Sequence, residues 1–183
     1  MTDLIKLALD SGFTSAARFD PEKISFHNAH ILRDVCKGNS CTFYGRYWTC
    51  PPAVGSVENC IAKVRNYHSG LGVQFVIDAV SYQSNEALFN AIRDTFNDMT
   101  RELLTNLRKE LGEVLALGMS GCTLCAHCTY PKGSCAHPDK MILCISSHGI
   151  DVFELCELCG FVHAGSDKTE FFGLFLFNES KNV

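Results

Sequence analysis

The spacing of hydrophobic and polar residues changes along this chain between a helical period and a strand-like period. From Asn85 to Leu111 apolar residues recur at three- and four-residue steps between Ser84, a candidate N-cap, and Gly112. This pattern predicts a long amphipathic helix. Leu71 to Tyr82 is rich in Val, Ile, Phe and Tyr, which predicts a mostly buried strand. The same patterns predict further helices over residues 2–11, 56–70 and 149–159 and further strands over 13–19, 113–117 and 171–177.

The alternation of strands and helices predicts an α/β fold, with a mixed β-sheet flanked by helices. We find no internal repeat, low-complexity tract or long linker, so we expect one domain over residues 1–183. Hydrophobic residues make up 46% of the chain, which is enough to build a core without covalent cross-links. The 11 cysteines among 183 residues therefore need another explanation.

Charge and hydropathy limit the partners and the cellular compartment that we expect for this protein. The net charge is −4, so we expect no nucleic-acid partner. No apolar stretch approaches the roughly 20 residues that a membrane span requires, and residues 1–13 lack a secretory leader pattern. We therefore expect a cytoplasmic protein, in which thiols stay reduced, and an odd number of cysteines cannot all pair. Metal binding is favoured over a disulfide framework.

The second of two cysteine motifs, in the loop 122–138, has the more informative spacing. It contains Cys122, Cys125, Cys128 and Cys135, with two successive C-x2-C steps. Such steps let a short loop wrap around a 4Fe-4S cluster, as in bacterial ferredoxins. A zinc site usually takes one such pair from each of two loops, so the spacing favours iron-sulfur, with zinc as the alternative. His127 lies inside the loop, and we interpret it as a solvated side chain while four cysteines are present.

The first motif, in the loop 36–52, supplies three cysteines: Cys36, Cys41 and Cys50. Glycines in the loop allow tight turns, and Pro51 after Cys50 matches the Cys-Pro end of a ferredoxin loop. Three alternatives remain open for the fourth ligand. It could be Cys60 in the following helix, a cysteine that crosses over from the second motif, or an open iron position that binds water or a small molecule.

The other cysteines fit a role in packing better than a role in ligation. Cys60 lies on the apolar face of its predicted helix, and Cys156 and Cys159 lie within an apolar helical pattern. A zinc ribbon that joins Cys156 and Cys159 to the second motif would exceed the usual spacing of about 15 to 20 residues. Cys144 has no partner at a motif spacing, so we interpret it as a buried thiol.

Residues around both motifs favour an anionic centre. Neither residues 36–57 nor residues 114–138 contain Asp or Glu, whereas Lys37, Arg46 and Lys132 lie within them. Carboxylates would repel a cluster with four thiolates, and cations would stabilise it. Tyr47 and Trp48 lie between Cys41 and Cys50 with two further aromatic residues, and they could equally cover a cluster or pack in the core.

These motifs resemble a known family. The residues that carry the resemblance are Cys36, Cys41, Tyr44-Gly45, Trp48, Cys50-Pro51-Pro52, Cys122, Cys125, Cys128, Tyr130-Pro131, Cys135, His137-Pro138 and Gly149-Ile150-Asp151-Val152. They resemble the predicted metal-binding proteins called domain of unknown function 2284. The resemblance implies a cysteine-ligated metal centre in a small cytoplasmic protein, typically of anaerobes. It implies no reaction, and Cys60, Cys144, Cys156 and Cys159 lie outside its pattern.

We therefore expect an iron-sulfur protein that binds one or two 4Fe-4S clusters and transfers electrons to a partner redox enzyme. An enzyme is the first alternative, with an open iron at Cys36, Cys41 and Cys50 that acts on a small molecule. The second alternative is a zinc-stabilised interaction module without redox activity. Hydrolase and nucleotide-binding motifs are absent from the sequence.

Overall fold

The computed structural model describes residues 2–78 and 85–179. Within these residues, a five-stranded sheet is flanked by five α-helices. The helices are α1 (Leu4–Asp10), α2 (Ala29–Val35), α3 (Val57–Arg65), α4 (Glu86–Leu111) and α5 (Val152–Leu158). The strands are β1 (Ser15–Phe19), β2 (Ser69–Asp78), β3 (Val114–Gly118), β4 (Leu143–Cys144) and β5 (Lys168–Phe177). No helix among the described residues is long and apolar enough to cross a membrane.

The strand order in the sheet is β1-β2-β5-β3-β4. The longest pairing joins β2 and β5 antiparallel, from Ser69 opposite Phe177 to Asp78 opposite Lys168. β1 with β2 and β3 with β5 are also antiparallel, whereas β3 and β4 run parallel. The sheet is therefore mixed, and the predicted α/β fold class is confirmed.

The central strand β5 divides the core into two layers. Phe171 and Phe175 pack in one cluster with residues of α1 and α4, whereas Leu174 and Leu176 pack in a second cluster with residues of α3 and α5. Successive side chains of a strand point to opposite faces, so a strand that is apolar at nearly every position is buried on both faces. This arrangement makes three layers, with helices on each side of the sheet.

The long helix α4 confirms the prediction from its periodicity. Asn85 is its N-cap, and the Asn85 side chain accepts a hydrogen bond from the Leu88 N–H. Gly112 ends the helix with φ of 79°, a conformation that favours glycine. Phe96 is fully buried, and its ring stacks on Phe171 with centroids 5.5 Å apart. Ser84, the predicted cap, lies outside the described residues.

The predicted helix over residues 56–70 is too long. Ser56 caps it as expected, by accepting a hydrogen bond from the Asn59 N–H, but α3 ends at Arg65. Gly70 instead lies in β2, where it pairs with both Leu176 and Phe19. The Phe19 ring covers Gly70 so closely that a side chain there would collide with it. Packing against the neighbouring strand, rather than a helix stop, accounts for this glycine.

Other boundaries also differ from the predictions. β5 begins at Lys168 rather than at residue 171, and α5 begins at Val152 rather than at residue 149. Gly149 has φ of 76°, and Asp151 caps α5. α2 and β4 were not predicted. They have seven and two residues, which is too short for a clear hydrophobic period. The predicted strand over 71–82 is observed to Asp78, and residues 79–82 lie outside the described part.

The sheet topology brings the two cysteine loops to one end of the sheet. β3 ends at Gly118, where the chain enters the loop that contains the second motif. β4 runs parallel to β3, so both strands present their carboxyl ends at the same edge. Ligands in α/β proteins commonly bind beyond the carboxyl ends of strands. The loop with the first motif reaches the same edge through a hydrogen bond from the Cys144 N–H to the Thr49 carbonyl, 3.3 Å long.

Candidate metal centre

The four cysteines of the second motif line one pocket. The loop around them, between β3 and Pro138, has no helix or strand, so its backbone can turn between successive cysteines. The pocket is lined by Cys122, Cys125, Cys128 and Cys135, together with Tyr47, Trp48, Thr49, Leu124, Thr129, Ala136 and His137. No carboxylate lines it. Four soft thiol ligands without competing oxygen ligands suit zinc or an iron-sulfur cluster.

Burial raises the pKa of the Cys122 thiol, and polar groups around it offset part of that rise. The Leu124 backbone N–H and the charge of Arg101 both lower this pKa. Interaction with Cys128 and Cys135 raises this pKa as well, because three neighbouring thiolates repel one another. A bound cation would remove that repulsion and hold all three as thiolates.

Arg101 connects the long helix α4 to the second motif. Its guanidinium donates hydrogen bonds to Thr123 Oγ1, 3.0 Å away, and to Asp98 Oδ1, 2.7 Å away. Its side chain is 12% exposed, and its Nε is buried without a hydrogen-bond partner among the described residues. A partly buried guanidinium fixed beside Cys122 supplies positive potential at the pocket.

The aromatic segment of the first motif forms a wall of the second motif's pocket. The Trp48 ring packs edge-on against Tyr130, with centroids 5.0 Å apart. Trp48 Nε1 donates a hydrogen bond to Thr129 Oγ1 at 3.2 Å, and that hydroxyl donates to the Ser134 carbonyl at 2.7 Å. These contacts favour the interpretation that the aromatic residues cover the metal centre, rather than the alternative that they only pack in the core.

The three cysteines of the first motif lie in a separate group. Cys36 follows α2 in a π-helical turn, Cys36–Ser40. A hydrogen bond of 2.8 Å from the Gly45 N–H to the Pro51 carbonyl closes the loop that carries Cys41 and Cys50. Cys50 is 1% exposed. Burial raises its pKa to about 12, and the nearby thiols of Cys144 and Cys41 raise it too.

Cys144, which the sequence placed outside both motifs, lies among these thiols. Burial raises the pKa of Cys36 to about 11, with further contributions from Cys144 and Cys41. The Cys144 thiol also interacts with the Cys41 thiol. The Cys144 N–H also donates a hydrogen bond to the carbonyl of Thr49, the residue before Cys50, so Cys144 lies beside the first motif.

Cys60 is buried, as its position on the apolar face of α3 predicts. Its sulfur lies 3.5 Å from the Val54 carbonyl and accepts a hydrogen bond from Arg33 Nη2 at 3.4 Å. Arg33 also donates to the carbonyls of Gly55 and Ser147. These contacts tie α2 to the segments on either side of the first motif.

Cys156 and Cys159 are buried in the second core cluster. The Cys156 sulfur, a nitrogen of His163 and an oxygen of Glu170 all lie within 4.8 Å of one another. The Glu170 oxygens already accept hydrogen bonds from Ala164 N and Gln74 Nε2, both 2.7 Å long. We therefore interpret Glu170 as a structural acceptor that anchors the segment before β5. All eleven cysteines of the chain are free thiols.

The cations that lie beside the thiols differ from those expected from the motifs. Lys37, Arg46 and Lys132 are exposed, as is His127. Arg33 and Arg101 lie beside the thiols instead. Both precede their cysteines on helices, outside the acid-free segments. Arg33 is close to Cys36 along the chain but lies just outside the acid-free segment, whereas Arg101 is brought to Cys122 by the fold.

The comparison with protein families agrees with this arrangement. A family model described as "Predicted metal-binding protein (DUF2284)" matches residues 17–177 of the chain. The chain belongs to this family. No curated protein and no solved structure matches it. The description of DUF2284 predicts metal binding, and the thiol-lined pocket of this chain contains suitable ligands for a metal.

The resemblance to DUF2284 proteins that the cysteine motifs indicate is thereby confirmed, over residues 17–177. The family description gives metal binding without the metal. In this DUF2284 protein, two groups of thiols lie next to each other at one end of the sheet, and Thr49 connects them. Thr49 lines the pocket of the second motif, while its hydroxyl lies 3.8 Å from the Cys50 sulfur.

Proposed function

We propose that this protein is an iron-sulfur protein with two cysteine-ligated centres, and that it transfers electrons to a partner redox enzyme. The observation that carries the proposal is that four cysteines of one loop, Cys122, Cys125, Cys128 and Cys135, line a single pocket. Their successive three-residue steps are typical of loops that hold a 4Fe-4S cluster. Such a cluster, when bound, accepts and releases one electron at a time.

Several residues of the chain support redox function at this pocket. The Leu124 N–H and Arg101 stabilise negative charge on the Cys122 sulfur, and donors and cations of this kind set the reduction potential of a cluster. Trp48 and Tyr47 line one side of the pocket, and aromatic residues in this position would limit the access of water to a bound cluster. The four cysteines are nevertheless only half-buried, so the centre lies close enough to the surface to exchange electrons with another protein.

The first motif supports a second centre of the same kind. Cys36 and Cys50 are buried, and the Gly121 backbone N–H offsets part of the rise that burial causes in the pKa of the Cys50 thiol. Gly121 directly precedes Cys122, so one short segment contributes to both groups. Two centres in such proximity would allow an electron to pass from one to the other. A zinc-stabilised module and an enzyme with an open iron remain as the outcomes that the experiments below distinguish.

An anaerobic redox titration followed by electron paramagnetic resonance tests this function. We expect two reversible one-electron signals from the purified protein. Cys125→Ala should abolish one signal and leave the other intact, whereas Cys156→Ala, which removes a buried thiol outside both motifs, should leave both. A protein without any reversible signal would contradict the proposal. Loss of neither signal in Cys125→Ala would show that the ligand assignment is wrong.

A further inference from the structure

The first motif has three cysteines, one fewer than a closed four-ligand centre requires. We propose that Cys144 is the fourth ligand of the first metal centre and completes it with Cys36, Cys41 and Cys50. This inference rests on the proposed function, because it requires a metal centre at the first motif. It closes the site and thereby excludes an open position for water or a small molecule there.

The backbone holds Cys144 beside the first motif. Cys144 is the last residue of β4 and pairs with Gly118 at the end of β3. Its N–H donates a hydrogen bond of 3.3 Å to the carbonyl of Thr49, the residue before Cys50. The next residue, Ile145, donates a hydrogen bond of 3.1 Å to the Gly118 carbonyl. Cys144 is therefore fixed by the sheet on one side and by the first motif on the other.

Cys144 is buried, as are two of the three cysteines of the first motif. Cys36 and Cys144 are each 8% exposed and Cys50 is 1% exposed, whereas Cys41 is partly exposed. Thiolates that lie close together in a buried place repel one another unless a cation lies among them. A metal centre provides that cation, and its binding would release the thiol protons.

The turn after Cys144 is tied both to Cys144 and to the helix that leads into Cys36. The Ser147 hydroxyl donates a hydrogen bond of 2.7 Å to the Cys144 carbonyl. Arg33, which lies in α2 just before Cys36, donates a hydrogen bond to the Ser147 carbonyl. These contacts hold Cys144 near Cys36 as well as near Cys50.

The two other candidates for the fourth ligand fit less well. The Cys60 thiol donates a hydrogen bond to the Val54 carbonyl at 3.5 Å, so in this position it keeps the proton that a metal-bound thiolate would have lost. All four cysteines of the second motif line one pocket. If one of them ligated the first centre instead, the second centre would keep only three. With Cys144 as the fourth ligand, Cys60 keeps its observed contacts and the second motif keeps all four of its cysteines.

The test compares Cys144→Ala and Cys144→Ser with Cys60→Ser as the matched control. The signal that survives in Cys125→Ala identifies the first centre. In Cys144→Ala we expect this signal to disappear or change shape, with loss of iron from that centre, while the signal of the second centre stays intact. In Cys60→Ser both signals should match the wild type. An unchanged first-centre signal in Cys144→Ala, or its loss in Cys60→Ser, would overturn the proposal.

Two further results separate this inference from the proposed function. If Cys144→Ala fails to fold and loses both signals, Cys144→Ser decides: its hydroxyl should give an altered first-centre spectrum, and a wild-type spectrum overturns the assignment. If the wild type contains zinc and no sulfide, the iron-sulfur proposal fails. The ligand assignment then still predicts that Cys144→Ala lowers zinc from about two ions per chain to about one. Unchanged zinc would overturn it.

Discussion

Gly121 offers a specific test of the idea that the two centres share one backbone segment. Its φ is 86°, and a Cβ at this position would lie 2.7 Å from the Phe43 ring. Phe43 belongs to the first motif, and Cys122 of the second motif directly follows Gly121. Gly121→Ala therefore strains the backbone and pushes the first motif away from the second at the same time.

The magnitude of this effect follows from two costs. An alanine in the left-handed conformation costs about 1–2 kcal/mol, and forcing a methyl group against a packed ring costs about 1–3 kcal/mol. The sum of roughly 2–5 kcal/mol corresponds to a decrease in Tm of roughly 4–20 °C for a chain of this size. Gly160→Ala is the matched control, because Gly160 has φ of 67° and no atom within 4 Å of an added Cβ. There we expect the backbone cost alone, roughly 2–8 °C.

The assay combines thermal unfolding with metal analysis of anaerobically purified protein. Gly121→Ala should lose metal from both centres and should lower Tm by more than Gly160→Ala, which should keep its full metal content. Equal metal content and an equal decrease in Tm in the two variants would refute the reasoning. That result would mean that the contact between Phe43 and Gly121 does not set the relative position of the motifs.

Three other substitutions test the core, the electrostatics and the covering wall. Phe96→Ala should lower the free energy of unfolding by about 3–5 kcal/mol, because its buried ring packs on three others. Phe153→Ala, whose ring is exposed, should change it by less than about 0.5 kcal/mol in urea unfolding. Arg101→Gln should lower the reduction potential of the second centre by some tens of millivolts, because the lost cation stabilises the reduced cluster. Arg101→Lys keeps the charge and should leave the potential close to that of the wild type. An unchanged potential in Arg101→Gln contradicts the role of the charge. Trp48→Ala should speed the loss of the cluster's visible absorbance in air. Trp48→Phe keeps an aromatic ring, so its absorbance should be lost at a rate close to that of the wild type. Equal rates for the wild type and both variants would show that Trp48 does not shield the centre.

The sequence was sufficient to predict the elements with a long, regular hydrophobic period. α4 is an example, because its apolar residues repeat over several turns and Gly112 marks its end. The run 171–177 also predicted a buried strand, although β5 begins at Lys168. The polar residues at its start have no apolar pattern, and pairing with β2 extends the strand through them.

The second motif was visible in the sequence because its cysteines are close together in one loop. The position of Cys144 was not, since a two-residue strand far along the chain brings it to the first motif. Arg101 was missed for the same reason, since α4 carries it far from Cys122 along the chain. Spacing along the chain predicts contacts within a loop, whereas contacts between distant segments depend on strand order, which local patterns do not give.

The most direct test of the central claim is the analysis of iron, acid-labile sulfide and zinc in protein purified without oxygen. Our account predicts iron and sulfide in equal amounts, sufficient for two clusters, and almost no zinc. Zinc in stoichiometric amount without sulfide would contradict it.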